Sequence, residues 1–390
     1  MPMTVTGTTD LTHRRAVLDT AMQERGAWPA RSPWIREAVR TLPRDRFAPD
    51  RLWRWDGHAY VPVDRQVDPD GWARELYAGP DDAAVTQVTD GLPTSSLSSP
   101  GVVVDMLDSL LLEPGHRVLD LGTGAGWNCA LAAHRTGPGR VTSIEVDTGL
   151  AAAARARLAQ AGLAVGVEVG DGAAGWPVGI PFDRVIATYA VERVPWPWVE
   201  QCAPGGRIVT PWGRLGHVAL TVADDHRSAT GWMQGLAQFM PARDRSRPEP
   251  AFAEVRGHGP ADHRGAMERG LEPLRADWDL LFTLRVTLPA VRITTAVDQD
   301  GTSAWIHDGL ASWAVLSARP GGATVHGGGP RRLAAELEAA WRTWETHDRP
   351  GVYDYGMTVR PDRQYVWLND PDTGPRWPTS ATADQGQAVD

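Results

Sequence analysis

Lysine is absent from this chain: every one of the 39 residues counted as lysine or arginine is an arginine. A P-loop needs the lysine of its Gly-Lys-Ser/Thr turn, and Schiff-base chemistry needs a side-chain amine, so neither class is open. Cysteine is nearly absent too. Cys129 and Cys202 make neither a disulfide framework nor a zinc set, which points to two packed thiols in a reduced, cytoplasmic protein. No apolar run approaches the ~20 residues that span a bilayer, and the opening "MPMTVTGTTDLTHRR" lacks the apolar region of a secretory signal. A net charge of −9 without a long basic run argues against nucleic-acid partners and against a membrane surface. The one close histidine pair, His258 and His263 in "HGPADH", lacks helical spacing, so no metal site is expected.

What is present is length and a regular pattern. At 390 residues the chain can bury more than one core. Residues 11–26 and 33–41 carry helical apolar spacing, and 50–95 reads as irregular. From about 98 to 222 strands and helices alternate: "GVVVDMLDSLLL" helix, "RVLDLG" strand, "WNCALAAHR" helix, "RVTSIEV" strand, "TGLAAAARARLAQAG" helix, then "VGVEVG" and "FDRVIAT" as strands. That order implies an α/β fold with a mostly parallel, doubly wound sheet. Beyond it "LLFTLRVTLP", "VRITTAVD", "TSAWIHD" and "SWAVLSAR" read as strands, "PRRLAAELEAAWRTWETH" as an amphipathic helix and "MTVRPDRQYVWL" as a hairpin. The expected division is an N-terminal helical and irregular substrate cradle (1–95), a cofactor-binding core (96–242), a linker (243–273), a C-terminal α+β unit (274–370) and a disordered tail (371–390).

The stretch "VLDLGTGAGWN" runs from an apolar strand into glycines 122, 124 and 126 and then a helix. A dinucleotide fingerprint would want glycine at 127, where this chain has Trp127. Gly122-x-Gly124-x-Gly126, with Thr123 inside it and Asp120 before it, suits a ligand without phosphate, such as S-adenosylmethionine. Its methionine end can lie on the bare loop with an acid near the ammonium. Glu145, ending the next strand with Val146 after it, is placed for the ribose hydroxyls. Gly170-Asp171-Gly172 at the end of the following strand places Asp171 for the adenine amine. "CAPGGRIVTPWG" reads as a turn into an edge strand. Together these predict a Rossmann-like, class I methyltransferase core using S-adenosylmethionine.

From about 40 to 222 the chain resembles protein-L-isoaspartate O-methyltransferases. "LPRDRFAPD" resembles their Pro-Arg-x-x-Phe-x-Pro segment. "SSLSSPGVVVDMLDSLLLEPGHRVLDLGTGAGWN" resembles their serine–proline segment, helix and cofactor loop, and "GDGAAGW" with "CAPGGRIVTPWG" their later blocks. Two departures stand out: "GLPTSSLSSPG" replaces Gly-Gln-Thr-Ile-Ser-Ala-Pro-His, with Gly101 in the histidine's place, and the chain carries some 150 extra residues. "FMPARD", "YGMTVRPDRQYVWLNDP" and the Trp-rich helix resemble enlarged relatives in the biosynthesis of ribosomally made lanthipeptides and graspetides.

The resemblance implies an enzyme that methylates an aspartyl or isoaspartyl carboxylate of a peptide, its ester closing to a succinimide or opening to isoaspartate. The partner would be a modified precursor peptide. It places the catalytic serine at Ser98, with Ser99 and Ser96 as neighbouring registers, and the same serines are also good helix caps. Tyr189, after the fourth strand, is expected as a wall over the methyl donor. Trp53, Trp55, Trp72, Trp196 and Trp198 are candidates for loops gripping a peptide, and Arg243, Arg245 and Arg247 for holding an acidic one. A general isoaspartate-repair enzyme, a non-catalytic cofactor- and peptide-binding module, and a small-molecule carboxyl methyltransferase are the competing readings.

Overall fold

The computed structural model describes residues 11–213, 215–243 and 250–379. Its first part is two helices, α1 (Leu11–Glu24) and α2 (Trp34–Thr41), and a small sheet. Strands β1 (Arg51–Trp55), β2 (Tyr60–Asp64), β3 (Ala84–Thr89) and β4 (Leu92–Leu97) pair in the order β2-β1-β3-β4, with α3 (Pro69–Leu76) inserted. The sequence reading took 50–95 as irregular, and the sheet corrects it. Its strands are short and half exposed, so apolar alternation is faint. The local signal was the turn: Asp90 and Gly91 take φ of 52° and 77°, the Asp-Gly pairing that joins strands through two left-handed residues.

The central unit follows the predicted alternation. Helix α4 (Pro100–Leu110) precedes β5 (Val118–Leu121), α5 (Trp127–Thr136), β6 (Val141–Glu145), α6 (Thr148–Gln160), β7 (Val165–Val169) and β8 (Phe182–Ala187). Then come α7 (Trp196–Gln201), β9 (Cys202–Trp212), β10 (Gly216–Val222) and β11 (Ala229–Leu236). Strands β7, β6, β5, β8 and β9 are parallel neighbours. Every residue of β5 is buried, as a strand covered by helices on both faces requires. The "CAPGGRIVTPWG" strand is no edge: β9 lies between β8 and antiparallel β10.

The chain continues with α8 (Phe252–Arg256), β12 (His263–Met267), α9 (Pro273–Ala276), α10 (Trp278–Thr287), β13 (Arg292–Asp298), β14 (Gly301–His307), β15 (Trp313–Arg319) and β16 (Gly322–Gly328). Helix α11 (Leu333–Thr346), β17 (Tyr355–Val359), β18 (Gln364–Leu368) and β19 (Arg376–Pro378) complete it. An antiparallel sheet, β12-β16-β15-β14-β13, has its own core against α10 and α11. The hairpin β17–β18 joins the central sheet instead, which becomes ten-stranded as β19-β18-β17-β11-β10-β9-β8-β5-β6-β7.

Three expectations change. The supposed linker supplies β12 to the accessory sheet. Residues 376–378 of the supposed tail pair with β18, while 380–390 fall outside the described residues. "LLFTLRVTLP" is helical, because α10 is wedged between two cores. Phe282 and Val286 face the central sheet, and Leu280 and Leu284 face the accessory one. Two apolar stripes on one helix read along the sequence like the alternation of a strand. No helix among the described residues is long and apolar enough to cross a membrane.

Candidate active site

The carboxyl ends of β5, β6, β7 and β8 converge on the glycine loop, the crevice where α/β sheets of this kind bind ligands. Gly122 has φ 92°, and a Cβ there would stand 2.7 Å from Thr188 Oγ1 and 2.9 Å from Tyr189 Cδ1. No other residue fits that approach. The Thr188 hydroxyl donates to the Gly122 carbonyl at 2.6 Å, tying the loop to the segment after β8. Gly126, with φ 94°, is the N-cap of α5.

Asp120 lies under this loop and is fully buried. Its two oxygens accept from Asn128 Nδ2 and Ser143 Oγ, each at 2.6 Å, and Thr123 Oγ1 lies 2.6 Å from the same Ser143 oxygen. Burial, with Glu145 adding like charge, pushes the Asp120 carboxyl up to about 6. Through its bonds to Asn128 and Ser143, Asp120 braces the loop from below.

Glu145 closes β6. Its Oε2 accepts from Gly124 N at 2.9 Å and its Oε1 from Asp147 N at 3.1 Å. Val146 beside it is exposed. Asp147 caps α6, accepting from Gly149 N and Leu150 N. It also takes bonds from Gln87 Nε2 at 3.0 Å and Arg243 Nη1 at 3.1 Å. Arg243 further donates to Gln87 Oε1 and the Thr94 carbonyl. It therefore latches the β3–β4 hairpin over the Glu145 side of the crevice rather than standing free for an acidic peptide; Arg245 and Arg247 fall outside the described residues.

Gly170 N donates to the Glu145 carbonyl, and Asp171 caps a short turn by accepting from Ala173 N at 2.9 Å. Tyr189 bridges the two glycine turns. A Cβ on Gly122 or on Gly172 would strike its ring or its hydroxyl. The ring stands edge-on to Trp198 at 6.3 Å, whose indole donates to the Gly172 carbonyl at 2.7 Å. Burial, then Asp171, Glu145 and Asp120 in turn, push the Tyr189 hydroxyl well above its ordinary range. Three carboxylates thus bear on one tyrosine between two bare turns. A cationic ligand gains from that field and a phosphate loses.

On the other flank, Ser98 and Ser99 are half-buried before α4. Ser99 is the N-cap of α4, and its hydroxyl makes no cap bond. The serines brought against the loop are earlier ones: a Cβ on Gly124 would lie 3.7 Å from Ser95 Oγ and 3.8 Å from the Ser96 carbonyl. Ser95 was not anticipated, and neither was Arg44 of "LPRDRFAPD". Arg44 is fully buried, donates from Nη2 to the carbonyls of Leu97 and Ser98 at 3.1 Å, and lies 5.5 Å over the Trp127 ring. It fastens the serine segment to the start of α5. Burial pushes it down to about 10.

The segment after β8 is held by parts of the chain that come much later in sequence. The Gln364 side chain of β18 accepts from Val194 N at 2.9 Å and donates to the Val194 carbonyl at 2.5 Å. Arg285 of α10 pairs with Glu192 and lies 5.0 Å over the Trp212 ring. Residues 240–242 also run beside it, Ala190 N donating to Met240 O and Ala242 N to Ala190 O. The tryptophans divide. Trp72 and Trp198 are buried packing residues, Trp53 belongs to β1 and Trp196 starts α7, while Trp55 is about half exposed. His263 lies on β12 against Arg332, and among the described residues no group of three His, Cys, Asp or Glu side chains is arranged to hold a metal ion.

Residues 20–246 match the family described as Protein-L-isoaspartate(D-aspartate) O-methyltransferase. The chain belongs to this family. Its members are carboxyl methyltransferases that use S-adenosylmethionine, and this chain is such an enzyme. The bare loop, Glu145 and the acidic surroundings of Tyr189 fit that cofactor. The protein-L-isoaspartate O-methyltransferase of Methylorubrum populi is 43% identical over 147 residues, 37% of this chain and 68% of that relative. The corresponding Anaeromyxobacter dehalogenans (strain 2CP-C) enzyme is 44% identical over 151 residues, 38% of this chain and 70% of the relative. A solved chain titled protein-L-isoaspartate O-methyltransferase aligns with a TM-score of 0.49 at 18% identity, covering 91% of this chain and all of that one. All of β12 to β19, with the accessory sheet, lies beyond the family match.

Proposed function

We propose that this isoaspartate-type methyltransferase esterifies an aspartyl or isoaspartyl side chain within a modified, ribosomally made precursor peptide. One observation carries the reading. Elements outside the family match, β18 through Gln364 and α10 through Arg285, grip the 190–195 segment beside the transfer point. Elements from beyond the family match, wired into that side of the site, support selection of a larger acceptor than an isolated damaged residue.

When bound, the cofactor supplies an electrophilic methyl on a sulfonium. The acceptor carboxylate is already ionised at neutral pH, with an ordinary pKa near ~4, so the chain needs no strong base. Its residues act by placement. Glu145 and Gly124 hold the ribose side, and Tyr189 walls the crevice. In this reading a hydroxyl of the 95–99 segment, Ser98 or Ser99 by the family register and Ser95 by nearness to Gly124, donates to the acceptor carboxylate, and Arg44 fastens that segment. Alignment of this kind contributes several kcal/mol, up to about 7–11 in the best cases. After esterification the next backbone nitrogen attacks the ester carbonyl, the C–OCH3 bond breaks, and the nitrogen's proton leaves with methoxide as methanol. The succinimide then forms without a further enzymatic group.

The test compares kcat/KM for a crosslinked precursor with that for short, unmodified isoaspartyl peptides, following ester and methanol. A strong preference for the precursor is expected. Equal rates on both would establish general repair instead.

A further inference from the structure

A second cluster, outside the transfer site, lies where α4, β10, β11 and the turn at 352–354 meet. His217, the second residue of β10, is fully buried there, and neither ring nitrogen has a hydrogen-bond partner of good geometry. Asp105 of α4 places Oδ2 3.4 Å from His217 Nε2, with half of its own side chain in solvent. Gly235 stands opposite His217 in β11, where a register shift interrupts the pairing. Such bulges re-aim side chains and recur beside functional sites. A Cβ on Gly235 would lie 3.3 Å from Asp105 Oδ2, 3.4 Å from His217 Cε1 and 3.6 Å from Tyr353 Oη. A carboxylate, an imidazole and a phenol therefore converge on one point, and Tyr353 is 67% exposed.

The charge there is negative. Arg31 is engaged by Asp108, one turn along α4, at 2.6 Å. Burial and Asp108 push Asp105 up to about 6 and burial pushes His217 down to about 4, which leaves an ionised carboxylate beside a neutral imidazole at pH 7. Trp232, 42% exposed, lies farther along β11.

We propose that Asp105, Tyr353 and His217 form a subsite for a lysine or arginine side chain of the peptide substrate, an assignment that rests on the peptide-methylating reading above. The cation donates to the Asp105 carboxylate and the Tyr353 oxygen, while the buried His217 ring, its Nε2 3.4 Å from Asp105 Oδ2, lines the inner side of the subsite. Asp105 follows Ser99 by six residues of helix, or about 9 Å at ~1.5 Å per residue. An extended peptide covers that span in about three residues at ~3.3 Å each. The cation therefore belongs about three positions from the methylated residue.

The experiment scans arginine, citrulline and glutamate through the positions flanking the acceptor in a peptide the enzyme methylates. A cation on a half-exposed carboxylate predicts a kcat/KM advantage of arginine over citrulline of up to about fivefold at one position. In Asp105→Asn that ratio should fall to about twofold or less, and in the exposed variant Tyr353→Phe it should fall partway. A ratio near one at every position, or one retained in folded Asp105→Asn, overturns the subsite. Should none of the peptides be methylated, the peptide-methylating reading itself fails and the subsite with it.

Discussion

Replacement of Glu145 is the most direct probe of how this chain holds its cofactor. The carboxylate ends β6 at 6% exposure, with one oxygen on Gly124 N and the other on Asp147 N. Each oxygen keeps a second lone pair for a ribose hydroxyl. Hydrogen bonds to a charged group contribute about 1.5–3 kcal/mol each, so losing two of them in Glu145→Ala costs about 3 kcal/mol at the lower end. At about 1.4 kcal/mol per factor of ten, cofactor affinity should fall about 100-fold or more. Glu145→Gln keeps the shape but not the charge, and it sets an amide NH2 toward Gly124 N or Asp147 N, so about tenfold is expected. Isothermal titration with S-adenosylmethionine measures both. Because Glu145 stands away from the reacting atoms, kcat at saturating cofactor should change far less than affinity. Affinity within twofold of wild type in a folded Glu145→Ala protein would refute the reasoning.

Two further outcomes follow from the loop and its support. Gly126→Ala meets nothing closer than 3.5 Å, so it should cost only left-handed strain of about 1–2 kcal/mol; Gly122→Ala adds collisions with Thr188 and Tyr189 and should lose more stability together with cofactor binding, read by urea unfolding and titration. Asp120, raised to about 6 by burial, binds its proton more tightly folded than unfolded, so its contribution is fully present below the unfolded value near ~4 and is lost as pH rises through ~6, a change of about 3 kcal/mol. Asp105 titrates in the same window, so the measurement is the difference between wild type and Asp120→Asn, whose unfolding free energy should vary less between pH 4 and 7.

The two halves of the chain differ in how far sequence alone could go. In the central unit the signals are local. A four-residue apolar strand, three glycines at alternate positions and an acid one strand later depend on short-range sterics, so Gly122, Gly126 and Glu145 were readable at once. The serine register was not. Ser95 reaches Gly124 because β4 pairs with β3, and that pairing depends on a hairpin in a stretch with faint alternation. Arg44 was equally hidden, since its partners are carbonyls more than fifty residues away.

Farther on, tertiary packing decided the outcome. One helix between two cores took on the apolar rhythm of a strand, and three late strands joined the central sheet although an accessory unit separates them from it in sequence. The chain's own residues determined the doubly wound core, the bare glycine loop at the end of its first strand and the acid ending the next, because each follows from backbone geometry over a few neighbouring positions. Only the folded structure decided that Gln364 and Arg285 hold the wall of the site and that Asp105, His217 and Tyr353 meet beside it. Those contacts join residues more than seventy positions apart, and no local rule of propensity or spacing encodes them.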